Sequence, residues 1–378
     1  MPGLLPDVDP DGLLEYSVVY TDRALNHMSA KFQRAMNAIS TQLKSVYGAR
    51  STVVVPGSGT FGMEAVARQF ATGQKIVVVR NGWFSFRWSQ IVQMGSIATS
   101  ETVLEARQAV RGDQAPFAPP PVDEVVEAIE RERPGVVFAP HVETASGIVL
   151  PDDYLRRVSA AVRKVDGLLV VDCIASGALW LDMTQLGIDV LISAPQKGWS
   201  SSACCALVML SERARTAIDA TTSTSFACDL KKWLQIMEAY EQGGHAYYAT
   251  MPTDSLARLR DAMRALDAFG FAKAKAAQQD LGAKVRRMLV GKGYPSVAAA
   301  GFEAPSVVVS HTDDPDIQSG RKLAGLGLQI AAGVPLQCDE PADFRTFRIG
   351  LFGLDKLRNI DRTVTSLDTA FSRLTVEV

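Results

Sequence analysis

Lys197 stands in a run of small residues, Ser193-Ala194-Pro195-Gln196-Lys197-Gly198, just beyond the apolar stretch Asp189 to Ile192. Such a lysine reads either as an ordinary solvated surface residue or as a desolvated amine whose lowered pKa makes it a nucleophile toward carbonyls. Asp172 closes another apolar stretch, Leu168 to Val171. It reads either as a helix N-cap or turn former, or as a partly desolvated carboxylate that needs a partner, such as a protonated ring nitrogen. Gly57-Ser58-Gly59-Thr60 follows the β-branched run Thr52 to Val55 and opens a helical pattern. Backbone N–H groups at a helix N-terminus suit a phosphate, although Gly-rich turns also arise for steric reasons alone. No Gly-Lys-Ser/Thr follows, so this is not a Walker A loop. Gly57, Gly59 and Gly62 have the spacing G-x-G-x-x-G, yet the next strand, Lys75 to Val79, closes on Arg80 and not on the acidic residue of a dinucleotide site. In chain order, a phosphate cradle, a strand-end Asp and a strand-end Lys describe a site for pyridoxal 5'-phosphate. That cofactor needs a phosphate anchor, an anion to keep its ring nitrogen protonated, and a Schiff-base lysine.

The elements that must position these residues alternate between helix and strand. Ala30 to Tyr47 has Phe32, Met36, Ile39, Leu43 and Val46 at helical spacing. Val122 to about Arg133 and Asp152 to about Val165 are further helices, and Val136 to Ala139 is a strand running into His141. Continuous apolar strands alternating with helices imply a parallel sheet covered on both faces. Ligands of such sheets sit beyond the carboxyl ends of the strands. The polar residues there are Ser58 to Thr60, Asn81, Glu143, Thr144, Asp172, Gln196 and Lys197. Ser255 to Gly282 reads as one long Ala-rich helix bridging two domains, followed by strand-like Ser306–Ser310, Gln329–Ala332 and Arg345–Ile349. The expected organisation is an N-terminal segment over residues 1–20, a large domain over 21–265 and a small α+β domain over 266–378.

Composition narrows the setting. The 378 residues are 47% hydrophobic and 21% charged with a formal net charge of −2, which gives no electrostatic footprint for nucleic acid or an anionic membrane. Met1 to Pro10 lacks a basic n-region with an apolar h-region, and no run is long and apolar enough to span a bilayer, so a cytoplasmic location is expected. The five cysteines are odd in number and irregularly spaced, and the four histidines lie far apart. Neither a disulfide framework nor a zinc site is expected.

From about His27 to Leu354 the chain resembles the class V aminotransferases, which belong to fold type I of the pyridoxal phosphate enzymes. It is most similar to the alanine–glyoxylate / serine–pyruvate branch. The motifs that carry this resemblance occur in the family's order: Asn26-His27-Met28-Ser29-Ala30-Lys31-Phe32, Gly57-Ser58-Gly59-Thr60, Asn81-Gly82-Trp83-Phe84-Ser85-Phe86-Arg87, His141-Val142-Glu143-Thr144-Ala145-Ser146-Gly147, Asp172-Cys173-Ile174-Ala175-Ser176, Gln196-Lys197, Tyr247-Tyr248-Ala249-Thr250-Met251-Pro252 and Phe347-Arg348-Ile349-Gly350-Leu351-Phe352-Gly353. The resemblance implies a mainly parallel seven-stranded sheet flanked by helices, with a smaller C-terminal α+β domain. It implies that Ser58, Gly59, Thr60 and Gln196 lie at the cofactor's phosphate. Phe84 would stack on its ring, with Trp83 as the fallback, and Thr144 would lie at its phenolic oxygen. Asp172 would hold its ring nitrogen, with Lys197 as the Schiff-base lysine. Arg348 would clamp the substrate carboxylate, a task for the guanidinium fork. Tyr247 and Thr250 would reach the neighbouring subunit's cofactor in an obligate homodimer.

The implied reaction moves an amino group from a small 2-amino acid, such as alanine or serine, to a 2-oxo acid such as glyoxylate or pyruvate. It is ping-pong, through an internal aldimine. Bland readings stand beside these roles: Phe84 as a core aromatic, His141 as a partner for strand-end backbone, Arg348 as an ion-pair residue, Thr250 as a helix cap beside a core Tyr247. The family's Gly-Pro-Gly-Pro segment is replaced here by Leu14-Glu15-Tyr16-Ser17-Val18-Val19-Tyr20-Thr21. Tyr16 and Ser17 therefore either contact an unusual substrate or repack the subunit edge. The rival readings are a desulfurase or lyase on the same cofactor, an aminotransferase for an aminophosphonate, and a non-catalytic scaffold. Gln196 before the lysine, and Cys338 without a Gly/Ser-rich loop, weigh against a desulfurase.

Overall fold

The computed structural model describes residues 13–374, so the first part of the predicted N-terminal segment lies outside the described residues. Its centre is a seven-stranded sheet. The strands in chain order are β1 (Ser51–Pro56), β2 (Lys75–Arg80), β3 (Ser100–Glu105), then, after a two-residue hairpin of β4 (Arg107–Gln108) and β5 (Phe117–Ala118), β6 (Val136–Pro140), β7 (Leu168–Asp172), β8 (Val190–Ser193) and β9 (Cys205–Leu210). Their spatial order is β1-β9-β8-β7-β6-β2-β3. The pairs β2–β3, β2–β6, β6–β7 and β7–β8 are parallel, whereas β9 runs antiparallel to both its neighbours. The central strands β6 to β9 are buried almost throughout, as their largely apolar content requires when helices cover both faces.

Helix α1 (Ala30–Tyr47) is capped by Ser29, whose side chain accepts from the Phe32 N–H, and ends at Gly48. It buries Phe32, Met36, Ile39 and Leu43. Helices α2 (Gly59–Phe70) and α3 (Trp83–Met94) start where β1 and β2 end. Trp88 of α3 stacks on Phe138 of β6 with ring centroids 4.1 Å apart, which fixes α3 on the sheet.

The C-terminal third builds a second, antiparallel sheet of β10 (Val307–His311), β11 (Ala331–Ala332) and β12 (Thr346–Gly350), in the order β10-β12-β11. The strand expected over Gln329 to Ala332 is confined to its last two residues. The single long helix expected over Ser255 to Gly282 is two helices, Thr253–Phe269 and Phe271–Gly291. Gly270 breaks them with φ +95°, a conformation that only glycine adopts without strain, while its N–H closes the first helix on Leu266 and Asp267. The Ala-rich periodicity continues across this break and hides it. Among the described residues no helix is long and apolar enough to cross a membrane.

Candidate active site

Register alone brings the carboxyl ends of three strands together. Asp172, last in β7, is paired with Pro140 of β6 on one side and Ile192 of β8 on the other. Around it a cavity is lined by Ser58, Gly59, Thr60, Phe84, Glu143, Thr144, Gln196 and Lys197, all expected from the sequence, and by Arg87, which is not.

Helix α2 supplies the cradle. No side chain caps it, and only from Phe61 onward do its N–H groups turn back to the chain, to the Ser58 carbonyl. The first-turn donors are left for a ligand, at the positive end of the helix dipole. A Cβ at Gly59 would lie 2.5 Å from Ile174 Cδ1, so a larger residue there would push the Ile174 side chain aside.

Asp172 is buried. One carboxylate oxygen accepts from the Ile174 N–H at 2.8 Å, so the turn-forming reading holds for that oxygen. Among the described residues no other hydrogen bond to the carboxylate is formed. Burial pushes its pKa up to about 6, against the pull of the Ile174 amide and of Lys197. Lys197 hangs from a turn closed by Ser200 N–H on the Lys197 carbonyl and by Ser201 N–H on that of Pro195. Trp199 anchors this turn, buried against Trp180 at 4.8 Å between ring centroids. Burial lowers the Lys197 pKa, which Asp172 partly offsets. The Lys197 amine lies 5.4 Å from the Phe352 ring centroid and 6.0 Å from that of Phe84.

Glu143 holds Phe84 in place. Its buried carboxylate accepts from the N–H groups of Phe84 at 3.2 Å, Ser85 at 2.8 Å and Ala145 at 2.9 Å, and from the Ser85 hydroxyl at 2.7 Å. It thereby caps α3 and aims its first turn at the cavity. Glu143→Gln turns an acceptor into a donor facing N–H groups. It is expected to cost about 2–3 kcal/mol of stability, read as a shift of the urea midpoint at unchanged slope. Phe84 lines the cavity, whereas Trp83 packs beside Phe86 with centroids 5.8 Å apart.

Arg348, on β12, brings the small sheet to the site. Its Nε donates to the Ala332 carbonyl at 2.8 Å, and its guanidinium carbon lies 5.4 Å from the Phe84 ring centroid. Among the described residues it makes no ion pair, and Nη1 and Nη2 stay free for an incoming anion. His141 is outside the cavity lining. It is buried on the Ser176 hydroxyl at 2.7 Å, with burial lowering its pKa to about 3. Tyr247, Thr250, Tyr16 and Ser17 do not line the cavity either. The Tyr247 hydroxyl bonds Thr250 at 3.1 Å on an exposed face, and its ring meets that of His27 at 5.4 Å. Thr250 does not cap the following helix, which starts after Pro252. Tyr16 is exposed, and the Ser17 hydroxyl accepts from Asn26 at 3.2 Å.

Sequence reasoning assigns no role to Glu143, Arg87 or Phe352, although all three lie inside quoted motifs. Arg87 stands three residues after Phe84 on one helix, and that spacing places both on one face.

The residues present fit pyridoxal 5'-phosphate: free helix-start amides for a phosphate, a buried carboxylate with an uncommitted oxygen, and a buried amine in one cavity. Comparison with known proteins gives the family. Residues 13–307 match the family described as aminotransferase class-V. A protein of Paraburkholderia xenovorans named 2-aminoethylphosphonate–pyruvate transaminase 2 is 30% identical over 366 residues, covering 92% of this chain and 91% of that one. A Synechococcus protein named soluble hydrogenase, small subunit, is 25% identical over 353 residues, covering 93% of this chain and 88% of its own. Among solved structures, an alanine–glyoxylate aminotransferase from Nostoc superposes with a TM-score of 0.76 at 22% identity, over 91% of this chain and 88% of that one.

Proposed function

Because this chain belongs to the class V aminotransferases, we propose that it uses pyridoxal 5'-phosphate to move an amino group from a small 2-amino acid, such as alanine or serine, to glyoxylate or pyruvate. The observation that carries this reading is the meeting of Asp172, Lys197 and the uncapped start of α2 in one cavity, with Arg348 brought over Phe84 from the second sheet.

When bound, the cofactor supplies the electron sink that makes the substrate's α-proton removable. The chain's residues supply the rest. Asp172 offers its uncommitted oxygen to a ring N–H. Lys197 carries the reactive amine, and burial keeps a larger share of it neutral than in an ordinary lysine, so its Nζ both accepts and returns a proton. Arg348, fixed at Nε by the Ala332 carbonyl, presents Nη1 and Nη2 to a carboxylate as a fork. Phe84 and Phe352 crowd water away from the amine. The exposed Tyr247–Thr250 pair fits a homodimer in which this face completes the partner's site. Tyr16 and Ser17 are assigned to the edge of that shared site. Cys338 is buried, with its thiol pKa raised by burial, which is unlike a desulfurase nucleophile.

An aminophosphonate donor is the second reading, favoured by the 30% identity to the Paraburkholderia protein. A panel of alanine, serine, aspartate and 2-aminoethylphosphonate against glyoxylate and pyruvate separates the two. Each donor alone should convert bound cofactor to its amine form, visible in the absorbance spectrum. Conversion by none of the four would remove the transaminase reading. Arg348→Gln is expected to lower kcat/KM for a 2-amino acid by about 10–100-fold, chiefly through KM.

A further inference from the structure

Resting on the cofactor reading above, we propose that Arg87 is the side-chain cation for the cofactor's phosphate, working with the first turn of α2 and the Thr60 hydroxyl.

Arg87 lines the same cavity as Ser58, Gly59 and Thr60. It reaches that turn from α3, the helix that begins where β2 ends. Its Nη1 donates to Thr60 Oγ1 at 3.0 Å, and its guanidinium carbon lies 4.7 Å from the Phe84 ring centroid. The aromatic face holds the guanidinium plane in place. A hydroxyl that accepts from a guanidinium turns its own hydrogen outward, so the Thr60 O–H is set to donate to an acceptor beside Arg87. The first-turn amides of α2, which no side chain caps, belong to the same turn as Thr60. Among the described residues Arg87 makes no ion pair, so its charge is not spent within the chain.

Charge balance points the same way. Lys197, Arg87 and Arg348 stand against Asp172 and Glu143 around this cavity. The Glu143 oxygens are already taken by Phe84, Ser85 and Ala145. An excess of positive charge remains, divided between two ends. Arg348 serves the substrate end, and Arg87 sits with the helix start. A phosphate dianion matches a guanidinium fork, a hydroxyl and backbone amides converging on one point.

The test compares ligands with and without the phosphate. Apo protein of wild type, R87Q and R87K is titrated with pyridoxal 5'-phosphate and with pyridoxal, following tryptophan fluorescence, and inorganic phosphate is added as a competitor. R87Q should weaken pyridoxal 5'-phosphate by about 10–100-fold while pyridoxal changes less than about threefold. R87K, which keeps the charge but not the fork, should fall between. Inorganic phosphate should compete less well in R87Q than in wild type. Equal weakening of both ligands would overturn the proposal and make Arg87 a support for Phe84. An unchanged cofactor affinity, with KM raised only for 2-aminoethylphosphonate or aspartate, would overturn it by moving Arg87 to the substrate. If wild type takes up no pyridoxal 5'-phosphate, the cofactor reading falls and this one with it. Uptake with an unaffected R87Q removes this one alone.

Discussion

Lys197→Ala is expected to lower kcat by about 10⁴-fold, the upper end of what one positioned proton-transfer group contributes, and to leave the fold intact. Among the described residues this is the only amine lining the cavity, so no neighbour substitutes for it. Its surroundings are unfavourable to charge: burial lowers its pKa, and the rings of Phe84 and Phe352 stand over it. Removing it leaves no buried acceptor unpaired, because its turn is held by the Ser200 and Ser201 amides and by Trp199. The apo variant should therefore melt at or above the wild-type temperature. Lys197→Arg separates charge from chemistry. Arginine keeps the positive charge but gives up no proton near neutral pH, so it should be as inactive as alanine. Mass spectrometry after borohydride treatment supplies a readout independent of turnover. Wild type should retain the mass of the cofactor on Lys197, and neither variant should. Activity of Lys197→Arg within tenfold of wild type would remove the lysine from the mechanism.

The sheet is legible in the sequence wherever burial on both faces demands a continuous apolar run, as in Leu168–Asp172. The run Cys205–Leu210 is absent from the strands expected above, yet it forms β9, which runs against the other six strands of the large sheet. Its apolar run is like the others, and direction is set by the connection before it, not by composition. Helix α3 escapes the sequence because Asn81-Gly82 signals a turn and the apolar spacing that follows is weak. What starts that helix is Glu143, a carboxylate from a distant segment, and no local pattern reports it. The same limit explains the site. Asp172, Lys197 and Ser58 to Thr60 are readable because each lies soon after a strand or at its end, where a parallel sheet places ligands. Arg87 lies inside a helix and Phe352 beyond a strand of the other sheet. Their approach to Phe84 and Lys197 depends on how α3 and the small sheet pack. Tyr247 and Thr250 stand on an exposed face of one chain, so the role proposed for them at a partner's site has no counterpart among the contacts of one chain.

Asp172→Asn should lower kcat by about 10²–10³-fold, the range seen when one preorganised electrostatic partner is removed, and at the same time stabilise the apo protein. The two effects have one cause. The Asp172 pKa is raised from 3.8 to about 6 because burial disfavours its charge. A carboxylate whose folded-state pKa exceeds its unfolded one binds protons more readily when folded. Its contribution is intact below about pH 4 and is lost as pH rises through about 6. At pH 7.5 the ionised group thus costs the folded apo chain about 3 kcal/mol, since each tenfold change in proton affinity is worth about 1.4 kcal/mol. Asparagine keeps the acceptor for the Ile174 N–H and carries no charge. Urea denaturation of apo protein should show the variant more stable than wild type at pH 7.5, with the gap closing at pH 4. Saturating pyridoxal 5'-phosphate should narrow or reverse that order, since only the wild-type carboxylate gains a cationic partner. A variant less stable than wild type at pH 7.5 would mean that the charge is already compensated within the chain. Asp172 would then be a structural turn residue and not a carboxylate held ready for a ring nitrogen.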